Sequence, residues 1–163
     1  MNERSAVSIR DFRSADLEAV GNLVYTTIDI SYPLAYSTEA IEFFKAFHSD
    51  ERILDDAHEG YTIVLEVDGR IVATGTLIGS HVYRVFVEPA LQGLGYGKTI
   101  MHHLEEKARS RGINAIQLSA SLVSTQFYKI LGYRILRDGS IKVANGKTLD
   151  FHEMEKVLKD EVP

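Results

Sequence analysis

The sequence predicts an α/β fold in one domain spanning 1–163, a sheet of about seven strands covered by about four helices. Three observations predict it. Apolar residues switch between a period of two and a period of 3.6 in the order strand, two helices, three strands, helix, strand, helix, two strands. Two β-branched runs flank the turn-forming pair Asp68-Gly69. A glycine-rich stretch, Gln92-Gly93-Leu94-Gly95-Tyr96-Gly97-Lys98-Thr99, then joins a β-rich run directly to a helical one.

The elements follow in order. Val7-Ser8-Ile9-Arg10-Asp11-Phe12 alternates like a half-buried first strand, and Ser14 with Asp16 marks the start of a helix whose Leu17, Val20, Leu23 and Val24 form one apolar face. Ser31-Tyr32-Pro33 breaks that helix. Ser37-Thr38-Glu39 resembles a capped start for a second helix bearing Ile41, Phe44 and Phe47. The link 25–36 is aromatic-bearing, and Tyr32 and Tyr36 are read as packing residues. Runs 61–67 and 70–78 make the hairpin, and 81–87 is a third strand that leads through Glu88-Pro89 into the glycine stretch. The next helix carries Ile100, Met101, Leu104 and Ala108 on one stripe and stops at Gly112. His102 and His103 leave that stripe; adjacent helix positions diverge by about 100°, so the pair is no metal site. A short strand at 115–119 precedes a helix with Val123, Phe127, Tyr128, Ile130 and Leu131, ended by Gly132. Residues 133–136 continue as a strand, Asp138-Gly139 turns, Asn145-Gly146 is a hairpin signal, and 149–158 is the last strand.

Composition bounds what this fold does. A globular chain of 163 residues buries roughly 70% of its unfolded surface, enough for a full core. With no cysteine, disulfides, zinc-thiolate sites and thiol nucleophiles are excluded. The net charge of −5 argues against a nucleic-acid partner, which needs a basic footprint. No apolar run approaches the roughly 20 residues of a membrane span, so no membrane partner is expected. The start Met1-Asn2-Glu3-Arg4-Ser5 lacks a signal-peptide core, and the expected location is cytoplasmic.

The glycine stretch reads as a pyrophosphate cradle. Glycines at 93, 95 and 97 allow a tight turn and a close approach of backbone to ligand, and successive N–H groups converge where a helix dipole begins. An ordinary glycine-rich turn is the competing reading. A nucleotide-binding P-loop is not, because position 92, where its opening glycine belongs, is Gln.

Gln92-x-x-Gly95-x-Gly97 after a strand ending in Val87-x-Pro89, with Phe127-Tyr128-Lys129-x-Leu131-Gly132-Tyr133 further on, resembles the GNAT superfamily of acyl-CoA-dependent N-acetyltransferases. The resemblance spans about 7–158 and has its specific content in 85–99 and 121–133. It implies a mixed, strongly twisted sheet splayed at its central strands, with acetyl-CoA in the gap and no metal. It assigns the cofactor's pyrophosphate to Gln92, Gly93, Leu94, Gly95, Tyr96, Gly97, Lys98 and Thr99, largely through backbone amides. Val85, Phe86 and Val87 match the strand that pairs with the pantetheine arm, where one N–H also faces the oxyanion of the reacting carbonyl. Tyr128 matches the tyrosine that protonates the leaving thiolate. Phe127 is packing.

Two departures stand out. Ser121 replaces an asparagine that often lies beside the cofactor, which makes it a helix cap, and Gln92 replaces the commoner basic residue.

The implied reaction is direct transfer of an acetyl group from acetyl-CoA to a primary amine, which requires loss of a proton from the amine. His81, on the strand where some family members carry a glutamate or histidine base, is the candidate; Glu66 and Glu153 are weaker ones. The alternative function is a non-catalytic acyl-CoA-binding or sensing domain. The acceptor is a small amine, an amino acid or a peptide amine, with specificity expected from 25–36, the second helix and the final hairpin. An exposed last strand would allow a homodimer.

Overall fold

Five of the six contacts between neighbouring strands are antiparallel, and the one parallel step, between the strands His81–Val87 and Ala115–Ser121, creates the site. The structure is a computed structural model that describes residues 4–159. Residues 1–3, part of the N-terminus read above for a leader, and 160–163 lie outside the described residues. Within them the elements are β1 (Val7–Asp11), α1 (Leu17–Ser31), α2 (Thr38–Phe47), α3 (Asp50–Glu59), β2 (Tyr61–Val67), β3 (Arg70–Ile78), β4 (His81–Val87), α4 (Tyr96–Ser110), β5 (Ala115–Ser121), α5 (Thr125–Ile130), β6 (Arg134–Lys142) and β7 (Thr148–Val157). The seven-stranded sheet has the order β1-β2-β3-β4-β5-β7-β6. No described helix is long and apolar enough to cross a membrane.

Each face of the sheet buries its own core. Ile100, Met101 and Leu104 of α4 pack with Ile63, Leu65 and Leu77 on one face, joined by Tyr128 of α5. On the other, Val20, Val24 and Ile28 of α1 meet Ile41 of α2, Ile53 of α3 and Phe86 of β4. Fully burying one such aliphatic side chain contributes about 2 kcal/mol, so these two sets position the helices. Gly75 of β3 lets α4 approach: a Cβ there would lie 2.6 Å from Ile100 Cγ2.

Three expectations need correction. A further helix, α3, precedes β2; Ser49 caps it by accepting from the Arg52 N–H at 3.3 Å, and Asp50 and Glu51 complement its dipole. Only Ile53 of its residues is buried, so it carries no apolar stripe to read. Asp138-Gly139 is no turn: β6 runs through it, paired Asp138 to His152 and Gly139 to Phe151, and the Phe151 ring fills the space where a Gly139 side chain would stand. The last strand is not an edge either. β7 lies between β5 and β6, and the outer strands are β1 and β6. The hairpin at Asn145-Gly146 does form, with φ of 56° and 71° at the two residues.

A bulge and a splay at β4 set up the site. Thr76 pairs with Tyr83 and Thr74 with Phe86, so Arg84 and Val85 together oppose Gly75. Arg84 takes up the extra residue with φ of 54°, in the left-handed region. The bulge resets the alternation. Val82 packs in the α4-side core, and beyond the bulge Val85 and Val87 do so, while Phe86 joins the α1-side core. Toward β5, the only paired position is His81 with Gln117, closed by the Gln117 N–H donating to Ser80 O at 3.0 Å. Beyond that point the two strands diverge, and β4 presents an unpaired edge to the gap.

Candidate active site

Two cavities open from this gap. The first, of about 430 Å3, lies between β4, the glycine stretch and α5; the second, of about 240 Å3, lies on the side of α2 and the β6–β7 hairpin. Tyr32, Val85, Phe86, Ser121, Ser124 and Tyr128 line both. They form the junction between the two.

The glycine stretch shapes the wall of the first cavity. Gly93 (φ 83°) and Gly95 (φ 92°) hold left-handed conformations that an L side chain resists, and Gly95 is the residue that caps α4. No side chain caps this end, so the first-turn N–H groups of a 15-residue helix stay without a side-chain acceptor, at the positive end of its dipole. Gly97 serves differently: a Cβ there would lie 3.0 Å from the Phe127 ring, so it is the contact point of α4 and α5. Gln92 donates from its side-chain amide to Val87 O at 3.1 Å and ties the loop to the end of β4. Lys98 lines the cavity. This uncapped, glycine-shaped end suits an anionic group.

Of the residues expected at the cofactor, Val85, Phe86, Val87, Gln92, Gly93, Gly95, Tyr96, Gly97, Lys98 and Ser121 line the first cavity. Two do not. Leu94 points outward, 62% exposed, and Thr99 turns its hydroxyl back to Gly95 O at 2.9 Å. Ser121 is not the helix cap: Ser124 holds the cap position of α5, and Ser121 ends β5, its Oγ 2.9 Å from Ser124 Oγ.

Tyr128 is buried at 6% exposure, its ring edge-on to Phe127 and Tyr133. Burial holds its phenol well above the usual tyrosine range, with the neighbouring Tyr32 adding to the rise. Its hydroxyl has no hydrogen-bond partner among the described residues, yet only Arg109 Nε and Tyr133 Oη are both sealed and unpartnered. The Tyr128 hydroxyl therefore opens on the cavity, at the junction.

His81 is exposed, stacks on Tyr83 with ring centroids 6.0 Å apart, and lines neither cavity. It lies below the bulge at the one position where β4 and β5 still touch, which is why counting residues along the strand did not bring it into the gap. Glu66 accepts from Arg10 and Glu153 from Arg137, and neither lines a cavity.

Sequence reasoning expected specificity from 25–36 but left the individual contributors unassigned in two places. Tyr32 belongs to the junction, and Tyr36 braces it: its hydroxyl donates to Asp150 O at 2.7 Å and accepts from the Leu122 N–H at 2.8 Å. Their aromatic link carried the signal. His48 is the other. It is 7% exposed, lines the second cavity, and accepts at Nδ1 from Arg84 Nε at 3.0 Å. Burial, and then the charges of Arg84 and Arg52, push its pKa down to about 3. Arg84 also donates to Asp56 at 2.9 Å.

Comparison with known proteins agrees with this geometry. Residues 34–158 match the model of the acetyltransferase (GNAT) domain family. The N-terminal acetyltransferase B complex catalytic subunit naa20 of Schizosaccharomyces pombe is 28% identical over 162 residues, covering 94% of this chain and 86% of that protein. Among solved structures, a GCN5-related N-acetyltransferase of Rhodopseudomonas palustris superposes with a TM-score of 0.86 at 22% identity, over 97% of this chain and 100% of that one. The PaiA N-acetyltransferase of Thermoplasma acidophilum, solved in complex with coenzyme A, gives 0.76 at 19% identity, over 94% and 99%. The splayed sheet, the uncapped glycine turn and these likenesses lead to one conclusion: the chain belongs to the GNAT superfamily of acetyl-CoA-dependent N-acetyltransferases.

Proposed function

We propose that this enzyme acetylates a primary amine by direct attack within the β4–β5 gap, with the acyl donor in the first cavity, the amine in the second, and Tyr128 as the acid that serves the leaving sulfur. The observation that carries the reading is the position of the Tyr128 hydroxyl, unpartnered and open at the junction of the two cavities.

Acetyl-CoA supplies the acetyl group already activated as a thioester. The backbone from Gly93 to Lys98 holds its pyrophosphate, and the unpaired edge of β4 at Val85–Val87 aligns the arm and faces an N–H to the carbonyl oxygen as negative charge develops. The amine nitrogen forms a bond to the carbonyl carbon, the carbon–sulfur bond breaks, the nitrogen loses its extra proton to water, and sulfur takes one from Tyr128. Solvent then restores the phenol. Burial keeps this phenol protonated, so it holds a proton to give as the carbon–sulfur bond lengthens and negative charge grows on sulfur.

No side-chain base enters this scheme. Neither cavity is lined by an acidic side chain among the described residues, and the one imidazole, His48, has its Nδ1 engaged by Arg84. Water therefore takes the proton, and the pH dependence of kcat/KM follows the acceptor's own amine pKa, shifting when the acceptor is changed. Release of free thiol from acetyl-CoA, followed across pH with a panel of amines, tests this. Tyr128→Phe is expected to lower kcat by about 100-fold while leaving KM for acetyl-CoA within about threefold. Unchanged turnover in that variant at saturating substrates would remove Tyr128 from the chemistry.

A further inference from the structure

The second cavity carries a chemistry of its own. Its walls are mostly aromatic, with Tyr32, Phe43, Phe44, Phe47, Phe86 and Phe151 among them. One polar group stands in that wall with a defined direction. The Arg84 guanidinium, whose side chain is 2% exposed, points its Nε–H at His48 Nδ1. A guanidinium Nε is only a donor, so Nδ1 must be bare, and a neutral imidazole then keeps its proton on Nε2. His48 Nε2 has no partner among the described residues and is not among the sealed, unpartnered atoms. It therefore opens on the cavity that the residue lines.

The charges behind this wall favour an oxygen. Arg84 and Arg52 both act on the imidazole, against one carboxylate, Asp56, that pairs with Arg84. Arg52 lies 5.0 Å from the centre of the Phe47 ring. A cation gains nothing at His48 Nε2, which offers only a donor. An electron-rich oxygen accepts the Nε2–H, in surroundings dry enough to make such a bond selective. The bulge at Arg84 goes with this arrangement: the residue in the left-handed conformation is the one whose guanidinium reaches His48, at the end of α2, and Asp56 of α3.

Building on the acetyltransferase reading, we propose that the acceptor is a compact amine with an aromatic or branched apolar body that also carries a hydrogen-bond-accepting oxygen. His48 reads that oxygen through Nε2–H, and Arg84 is the positioning residue that holds the imidazole in the required tautomer.

The test compares phenylalaninamide, phenylalanine and phenethylamine, which share the ring and the amine but differ in the oxygen. Wild type is expected to favour one of the two oxygen-bearing amines over phenethylamine by at least about tenfold in kcat/KM, each value referred to the concentration of neutral amine. His48→Phe, which keeps an aromatic body and removes the donor, should reduce that preference to about one, mainly through KM, with the affinity for coenzyme A unchanged. His48→Asn, which keeps a neutral donor, should restore part of it. Arg84→Lys removes the Nε–H without removing the charge, and 15N NMR of the His48 ring should then lose the pure Nε2–H signature seen in wild type. A preference unaltered in His48→Phe, or a wild-type ring protonated at Nδ1, overturns the proposal.

Calorimetry of the coenzyme A-loaded protein with N-acetylphenylalaninamide separates this result from the acetyltransferase reading. Binding that depends on His48, with no thiol released for any amine, overturns transfer and retains the recognition. Thiol release with no His48-dependent binding overturns the recognition alone.

Discussion

The two cavities that meet at Tyr128 are built from opposite materials. The first is a backbone site: glycines in left-handed conformations and an uncapped helix end present amides, and few side chains decide what binds. The second is a side-chain site, with aromatic walls and a single directed imidazole held from behind by Arg84 and Asp56. A ligand common to many enzymes is suited to the first kind, because backbone amides persist through sequence change. A ligand particular to one enzyme is suited to the second, where each substitution alters shape or polarity.

That contrast is open to attack, beginning with the largest expected effect. Because burial depresses the His48 pKa to about 3, its contribution is present above about pH 6.5, the unfolded value, and is lost as pH falls toward the folded value. Urea unfolding at pH 4 and pH 7 should show a loss on the order of 3 kcal/mol that His48→Phe does not share. Equal losses in both proteins would mean that the acceptor side is not where acid acts. The acyl-donor side should respond to backbone strain instead. Gly95→Ala forces a side chain into φ of 92°, a cost of about 1–2 kcal/mol that should raise KM for acetyl-CoA about tenfold, with oxygen-bearing and oxygen-free amines affected alike. The smallest effect belongs to Lys98, an exposed charge on the rim of the first cavity. Lys98→Met should weaken coenzyme A by about threefold in low salt and by less at high ionic strength. A large, salt-independent loss would make the first cavity a side-chain site after all.

The same contrast explains what was legible beforehand. One wall of the first cavity is local in sequence, built from the end of β4 and the glycine stretch that follows it, so the glycine spacing pointed to it. Tyr128 was reachable because its neighbours Phe127 and Gly132 travel with it. His48 was not. Its partner Arg84 is 36 residues away, and simple alternation along β4 hides a bulge that only the pairing of Thr74 and Thr76 reveals. The helix α3 escaped for the opposite reason, since its stop-and-start signal at Ser49 was present while the apolar stripe was missing. At Asp138-Gly139 the turn-forming pair misled, because the glycine there makes room for the Phe151 ring within a continuous strand.

The bulge at Arg84 also gives this enzyme two separately adjustable halves on one strand. Below it, Tyr83 and Arg84 border only the second cavity; above it, Val87 borders only the first, and Val85 and Phe86 border both. With the amine in the second cavity and the acyl donor in the first, as proposed, substitutions at 83 and 84 should retune which amine is accepted while leaving the acyl-donor groove intact, and changes at 87 should do the reverse. Deleting Arg84 would leave one residue opposite Gly75 and keep Val85, Phe86 and Val87 on their present faces, so it should remove the guanidinium behind His48 while sparing the first cavity.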